Sequence, residues 1–377
     1  MIILTIYILV LAICLLFGMI FNPNKNNMRK KIYLLSVFGL IILFSSLRSY
    51  MIGIDLKDHY YKAFVYYSDK SFDFFLSHSP YDKGYIFFYH FIYYFTKNPQ
   101  VMIAIHSVIV FSIVGRFIYK NSNNVIMSSF VFIAYNSWFM YMTMLRQSLA
   151  IAVLLIATEI WSKRDLKKKR IVYFYLLVFI ASTFHSSAII FSIYPLVEKI
   201  PVKKTTIFLS IIGIIFTTVF YNQIFILISK IISVTKDYTS FYANDISIVN
   251  VTTIYSIAVG AITLFLSYIY IYRNNSIDKN AAKKETISND FLVFLVIIFT
   301  TTRILRIKIG IIARASEYFL PFLWILLPRT LNNITRKNDR VLIKFITYSL
   351  FVLAFVWCGY SNGADLYGTV PYKFFWE

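Results

Sequence analysis

Charged side chains and cysteines are scarce in this sequence. Of its 377 residues only 15% are charged and two are cysteines, whereas 59% are hydrophobic. A chain of this length with so few charges lacks the polar surface that a soluble protein needs. Cys14 and Cys358 lie in the first and last apolar segments. This placement excludes a disulfide framework and gives no reason to propose a thiol site.

Several motifs of soluble enzymes are missing as well. The chain has no glycine-rich phosphate-binding loop, no Cys/His spacing for a metal, no Ser-His-Asp pattern and no internal repeat. These absences argue against chemistry on cytoplasmic nucleotide sugars, and they predict neither a cofactor nor a metal. Asp55, Asp58 and His59 could bind a cation weakly, but a hydrated, partly paired loop explains them better.

Apolar runs occur along the whole chain, at lengths close to the ~20 residues with which a helix crosses a bilayer. Helices are predicted because lipid forces backbone groups to pair within each segment. The first run resembles a signal peptide but has no basic start and no small-residue cleavage site, so we interpret it as a retained helix. The sequence predicts an all-α polytopic membrane protein, a single membrane domain over 1–377 with about twelve spans. These are 2–21, 32–47, 101–119, 124–142, 145–162, 170–186, 187–198, 204–221, 251–272, 290–307, 311–329 and 341–358.

The basic residues set the orientation of these spans. The formal net charge is +21, but Lys and Arg collect in short loops between apolar runs rather than on one face, which argues against nucleic acid as a partner. With an outer N-terminus, 24 of the 38 basic residues fall on the inner side, including the dense cluster at 163–170. Basic loops are normally cytoplasmic.

Two longer polar regions then face outward, at 48–100 and 235–250. The first holds five basic and five acidic residues between 48 and 83, the balance of a folded cap. It also contains a short aromatic stretch at 84–95, which is too short to cross fully. We predict that this stretch forms an interfacial or re-entrant helix, since Tyr and Trp rings favour that depth.

Arg146 and His185 are candidate functional residues, because an ionisable group at membrane depth is costly unless it is paired or hydrated. Arg146 and Gln147 open a span from its outer end, where a snorkelling anchor is the alternative interpretation. His185 lies where two short apolar stretches meet, also on the outer side, and a lone His is often structural. A cation beside a residue that titrates near neutral pH suits a phosphate leaving group and a hydroxyl nucleophile.

A third group of candidates surrounds one outer connection late in the chain. Four positive residues in that place resemble an anion site, and Arg side chains suit phosphate. Arg314 and Glu317 share a helical face and could instead neutralise each other. The members are Arg303, Arg306, Lys308 and Arg314, followed by Glu317 and Tyr318.

In their order and spacing these motifs resemble the EpsG family of Wzy-like exopolysaccharide and capsule polymerases. The cap opens with Arg48, G-x-D at 53–55 and Tyr60, and continues with Y-x-K-G-Y at 81–85. L-R-Q-x-L-A at 145–150 and A-S-x-F-H-x-S-A at 181–188 follow. A late A-R-x-x-x-Y at 313–318 and a terminal V-P-Y-K-F-F-W at 370–376 complete the likeness, which covers most of the chain.

The resemblance implies a metal-independent glycosyltransferase on the outer face of the bacterial plasma membrane. It would transfer a polyprenyl-pyrophosphate-linked glycan to another lipid-linked repeat unit. Its partners would be these lipid-linked oligosaccharides, membrane lipid and other polysaccharide-assembly proteins. His185 and Arg146 would then be catalytic, and substrate would contact Arg48, Asp55, Tyr81, Lys83, Tyr85, Gln147, Arg303, Arg306, Arg314, Glu317 and Tyr318. A ligase to a different acceptor, a transporter of lipid-linked sugars or polymer, and a membrane scaffold are the alternatives.

Overall fold

The computed structural model describes residues 5–200, 251–273, 287–307, 312–357 and 367–377, with a few single positions between 212 and 223. Over these ranges the chain is all-α and forms no β-strand, as the sequence predicts. It divides into two compact units, which we call unit 1 (Met1–Ile189 and Ile334–Glu377) and unit 2 (Ile190–Asn333). The outer loop predicted at 235–250 and most of the span predicted at 204–221 lie outside the described residues.

Unit 1 contains apolar helices and, between the second and third of them, a cap of short helices. The apolar helices outside the cap are α1 (Thr5–Phe21), α2 (Asn27–Leu47), α6 (Pro99–Asn121), α7 (Val125–Ala134), α8 (Ser137–Thr143), α9 (Leu145–Ser162), α10 (Lys169–Phe184) and, late in the chain, α16 (Lys337–Trp357). The cap consists of a π-helical turn (Leu56–Tyr60), α3 (Tyr61–Tyr67), α4 (Phe72–His78) and α5 (Lys83–Tyr93).

Unit 2 contains a 3₁₀ segment (Ser186–Ile193, which begins in unit 1), α11 (Tyr194–Val197), α12 (Val251–Ser267), α13 (Asn289–Leu305), α14 (Ile312–Ser316) and α15 (Leu320–Asn332). Gly260 lies where α12 packs on α13, and a Cβ there would collide with Thr300. A small residue at this point lets the two backbones approach, as is common between helices in lipid.

The membrane spans are only partly those that the sequence predicts. In the described part of the chain, five helices are long and apolar enough to cross a bilayer, or six if a bent pair counts as one. The five are Asn27–Leu47, Pro99–Asn121, Leu145–Ser162, Thr252–Ile271 and Lys337–Trp357. The structure therefore supports a polytopic membrane protein, and the full number of twelve stays a prediction.

Three predicted spans differ in form from a straight crossing helix. The span at 124–142 is bent by 56° between α7 and α8, where Asn136 takes a left-handed φ of 64° that Asn tolerates better than most residues. The span at 187–198 is 3₁₀ over most of its length and has too few residues for a crossing of ~30 Å. The span at 311–329 is interrupted before Leu320, because Pro321 has no backbone N–H to donate to the carbonyl four residues earlier and so fits only the first turn of a helix.

The helices of unit 1 alternate in direction, so their ends gather at two opposite ends of the unit. At one end, Lys30 Nζ donates to the Ser122 carbonyl at 2.9 Å, which joins the start of α2 to the end of α6. At the other, Gln100 at the start of α6 donates to the Ser46 carbonyl near the end of α2 at 2.6 Å. We call these the basic end and the site end. The site end carries the cap, the start of α9 and the end of α10.

Both described extremities of the chain lie at the site end. Tyr7, near the start of α1, donates its hydroxyl proton to the Thr369 carbonyl at 2.6 Å. A membrane-spanning chain that joins these two residues crosses the bilayer an even number of times. Twelve spans satisfy this condition, which does not depend on hydropathy.

This geometry gives a labelling prediction. In a chain whose two cysteines are replaced by serine, we expect impermeant maleimide to reach Lys70→Cys and Lys373→Cys in intact cells but not Lys167→Cys. All three side chains are exposed, and only Lys167 belongs to the basic loop after α9. Permeabilised cells supply the control, because all three positions should then react. Labelling of Lys167→Cys in intact cells would show that the basic end faces outward and that the assigned orientation is wrong.

Candidate functional site

The break between α8 and α9 places Arg146 in the first turn of α9. Met144 leaves helical geometry with φ −89° and ψ 70°, so α9 starts afresh at Leu145. The guanidinium then points at the cap, where Arg146 Nη1 lies 3.2 Å from Asp82 Oδ2. The two side chains are 20% and 15% exposed, so the pair is shielded without being sealed from solvent.

Tyrosine rings from the cap surround this pair. The Arg146 guanidinium lies over the Tyr81 ring, 5.0 Å from its centroid, and its Nε lies 3.5 Å from the Tyr60 hydroxyl. Tyr85 packs edge-on to Tyr60, with ring centroids 5.4 Å apart. Burial, aided by the neighbouring Tyr60, raises the pKa of Tyr81 above its usual value, so this hydroxyl stays protonated at neutral pH.

A hydrogen-bond chain holds these rings in place. The Tyr85 hydroxyl donates to the Tyr89 hydroxyl at 2.8 Å, and Tyr89 in turn donates to the Tyr60 carbonyl at 3.0 Å. Tyr85 and Tyr89 are one turn apart on the buried face of α5, whose opposite face exposes Phe87 and Phe91. The short aromatic helix of the cap is thus confirmed as a helix, and its placement in the bilayer interface stays a prediction.

Asp82 is the residue that the sequence interpretation missed. In the sequence, Asp82 is one of the five acidic residues that balance the charge of the cap, and it is not among the candidate site residues. The structure places its carboxylate against Arg146, 64 residues away in sequence. One feature of the sequence could have pointed to Asp82. It is the residue x of the Y-x-K-G-Y motif, directly before α5, and an acidic side chain at that place stabilises the N-terminus of a helix.

His185 lies at the same end of unit 1, at the end of α10, and the last turn of α10 contacts the start of α5. It ends α10 in an extended conformation, is 8% exposed, and its Nδ1 lies 2.7 Å from the Ser187 hydroxyl. Gly84, two residues after Asp82, packs against the backbone of Thr183, two residues before His185. The start of α5 therefore contacts both the Arg146 guanidinium and the last turn of α10.

Arg48 was expected to contact substrate, and the structure places it inside unit 1. Its side chain is fully buried, and its guanidinium donates to the Ser45 carbonyl, to Ser107 Oγ at 3.2 Å and to the Met142 carbonyl at 3.0 Å. These bonds tie the end of α2 to the break before α9. A role in contact with substrate stays a prediction for Arg48, but its observed contacts are structural.

The other expected substrate residues of unit 1 differ in exposure. Gln147 is buried beside Arg146, Lys83 is exposed at the start of α5, and Asp55 is half-buried before the π-helical turn. No cluster of three metal-ligating side chains occurs among the described residues. Asp58 lies 3.7 Å from Lys62 at the surface.

In unit 2 the pairing differs from the one expected. The sequence suggests Arg314 as the partner of Glu317, but Glu317 forms an ion pair with Arg303. Both side chains are deeply buried, 6% and 7% exposed, and the Arg303 guanidinium also lies 5.4 Å from the Phe299 ring centroid. Tyr318 is buried, Arg306 half-buried and Arg314 exposed, while Lys308 lies outside the described residues.

This ion pair gives a stability prediction. Glu317→Gln should leave the Arg303 charge buried without its carboxylate, and breaking such a pair costs about 3–5 kcal/mol. The melting temperature in detergent and the amount of purified protein should both fall clearly. Asp58→Asn is the matched control, since the Asp58–Lys62 pair is exposed and should matter little. An unchanged melting temperature for Glu317→Gln would show that the pair does not hold unit 2 together.

Comparisons with known proteins agree with the motif order. No curated protein and no solved structure matches the chain significantly. The sequence model of the EpsG family matches residues 31–374, nearly the whole length. This range includes the cap, the break before α9, the end of α10 and the buried pair of unit 2. The chain therefore belongs to the EpsG family.

Proposed function

We propose that this membrane protein is a polysaccharide polymerase that acts on polyprenyl-pyrophosphate-linked oligosaccharides. It transfers the glycan of one lipid carrier onto the lipid-linked repeat unit of another. The reaction takes place at the outer leaflet of the bacterial plasma membrane, in contact with membrane lipid and with other polysaccharide-assembly proteins. The observation that carries the proposal is the shielded Arg146, set among Asp82, Tyr60 and Tyr81 at the site end of unit 1.

The basic end supports this orientation. The loop between α9 and α10 has four basic residues, Lys163, Arg164, Lys167 and Lys168, and Lys169 and Arg170 open α10. Such loops stay in the cytoplasm. The site end then faces outward, where no nucleotide is supplied and the donor brings its own energy in the sugar–pyrophosphate bond.

Each group at the site end fits a part of this substrate. A guanidinium binds pyrophosphate oxygens in a forked geometry and stabilises the charge that develops as the bond breaks. Its electrostatic effect is strengthened because Arg146 is mostly removed from water. The tyrosine rings of the cap offer flat faces on which sugar rings stack.

The proposed step is a substitution at the anomeric carbon of the donor. An acceptor hydroxyl oxygen forms the new bond to this carbon, while the carbon–oxygen bond to pyrophosphate breaks. The bonding electron pair leaves with the polyprenyl pyrophosphate, whose new negative charge Arg146 stabilises. The acceptor proton passes to a base at the site end, so that atoms and charges balance.

His185 is the proposed base, with Asp82 as the competing group. When Ser187 accepts a hydrogen bond from Nδ1–H, the imidazole Nε2 is unprotonated and able to take the acceptor proton. Asp82 is ion-paired with Arg146, which keeps the carboxylate close to the leaving group. Within unit 2, Arg306 and Arg314 are proposed by themselves as phosphate-binding residues, whereas the charge of Arg303 is balanced by Glu317.

The proposal is tested by the lipid-linked glycans of cells that lack the protein. A lost polymerase leaves single repeat units on the lipid carrier at the outer face, and expression of the protein restores long chains. Complete polymer that remains on its carrier indicates a ligase, and single repeats confined to the inner face indicate a transporter. Purified protein in vesicles should also lengthen lipid-linked repeats without added nucleotide. Failure of both assays would overturn the proposal.

A further inference from the structure

The C-terminal segment 367–377 lies across the site end of unit 1, and we call it the terminal clasp. Its Thr369 carbonyl accepts from Tyr7 near the start of α1, and its Tyr372 hydroxyl donates to the Phe44 carbonyl of α2 at 2.7 Å. The Ser49 amide, just after α2, donates to the Lys373 carbonyl at 2.9 Å. The clasp is thus joined to two helices that lie far from it in sequence.

Two consecutive carbonyls of the clasp point toward supports of the candidate site. The Tyr367 carbonyl accepts from Thr143 Oγ1 at 2.9 Å, and the Gly368 carbonyl accepts from the Gly53 amide at 2.7 Å. Thr143 is the last residue of α8, directly before the break at Met144 that sets the start of α9. One of the two bonds therefore holds the break that places Arg146.

The other bond holds the turn that places Tyr60. The Gly53 carbonyl accepts from the Lys57 amide at 2.9 Å, which fixes the first turn of the π-helical segment Leu56–Tyr60. Tyr60 ends that segment, with its hydroxyl 3.5 Å from Arg146 Nε. Arg146 and Tyr60 are thus each supported by one of two adjacent residues of the clasp, Arg146 by Tyr367 and Tyr60 by Gly368.

The fit between the clasp and this turn is close. Gly368 has φ +60°, and a Cβ on it would lie 2.7 Å from Ile54 Cγ1 and 3.1 Å from the Ile54 amide nitrogen. Gly53 has φ +109°, and a Cβ on it would lie 3.1 Å from Thr143 Oγ1. Only glycine combines this left-handed backbone with so near an approach.

We propose that the terminal clasp positions Arg146 and Tyr60 for glycan transfer, with Tyr367 and Gly368 as its positioning residues. The inference rests on the proposed function and names a further part of the same site. The clasp contacts the break before α9 and the Tyr60 turn at once, so it fixes the guanidinium relative to the cap. A misplacement of about 1 Å in such a site can lower the rate roughly 10²-fold even when binding survives.

The test compares Gly368→Ala with Gly39→Ala in the full-length protein. A Cβ at Gly39 meets nothing within 4 Å, so that variant is the matched control. With lipid-linked repeats as substrate, Gly368→Ala should lower kcat on the order of 10- to 100-fold with little change in KM. Hydrogen exchange of the segment 49–60 should quicken in this variant but not in the control. Ile54→Ala, added to Gly368→Ala, removes the nearest clashing atom and should restore part of the rate.

Thr143→Val provides a second route if Gly368→Ala does not fold, because it deletes only the hydroxyl that donates to Tyr367. The clasp proposal is overturned if exchange at 49–60 quickens in either variant while transfer stays at the wild-type rate. Unchanged exchange in both variants also overturns it. If Arg146→Ala transfers slowly while the clasp variants transfer normally, the clasp proposal is overturned and the proposed site at Arg146 remains. If Arg146→Ala transfers normally, the proposed site itself is overturned, regardless of the result for the clasp variants.

Discussion

Replacing Arg146 by alanine is expected to slow glycan transfer roughly 10²–10³-fold, the usual cost of removing one preorganised group that stabilises developing charge. Arg146 is the only cation for which the described residues show an ion pair with the cap and a contact with its tyrosines. Single lipid-linked repeats should accumulate in cells, and purified Arg146→Ala should show a lower kcat. Arg146→Lys should fall between alanine and wild type, because lysine keeps the charge but loses the forked geometry.

Arg116→Ala is the matched control for this prediction. Arg116 also forms an ion pair, in which its Nη2 lies 2.7 Å from Glu159 Oε1, but it belongs to the basic-end half of α6. Its loss should leave transfer near the wild-type rate, since Lys120 lies 3.5 Å from the same carboxylate. If Arg146→Ala, produced at normal amounts, makes polymer of normal length and yield, Arg146 is a snorkelling helix anchor.

The second large effect is expected at His185. General-base assistance is worth ~10²–10⁴-fold in rate, so His185→Ala should retain little transfer and accumulate single lipid-linked repeats. For a histidine base, kcat should rise with pH as the imidazole loses its proton, and this acidic limb of the profile should vanish in His185→Ala. The measurement is the pH–rate profile of purified protein in vesicles.

Asp82→Asn separates the two candidate bases. If His185 is the base, Asp82→Asn should keep the acidic limb of the profile and change mainly the binding of substrate, because Arg146 loses its partner. A limb that is lost in Asp82→Asn and retained in His185→Ala would assign the proton transfer to Asp82. A fully active His185→Gln would point to hydrogen bonding by His185 instead. Activity that EDTA removes and a divalent cation restores would direct attention to Asp55, Asp58 and His59.

The sequence by itself determined the membrane class, the helical fold and the placement of Arg146 and His185 at the same end of two neighbouring helices. The lengths of apolar runs and the positions of basic loops are local properties of the chain. The thickness of the bilayer and the cost of moving basic loops across it act on each segment separately. Alternation of spans then brings the start of α9 and the end of α10 to one end, whatever packs beside them. The order of the motifs was enough to identify the family, because that order is a property of the sequence itself.

Only the tertiary structure decided which charges meet and how the spans are shaped. Asp82 reaches Arg146 across 64 residues and Glu317 reaches Arg303 across 14, because cap folding and helix packing, rather than spacing along one helix, bring them together. Arg48 became a buried support for the same reason, since the carbonyls that it binds come from two different helices. The clasp is the clearest case: hydropathy cannot pair Gly368 with Gly53, because that contact depends on backbone shape at two glycines more than 300 residues apart.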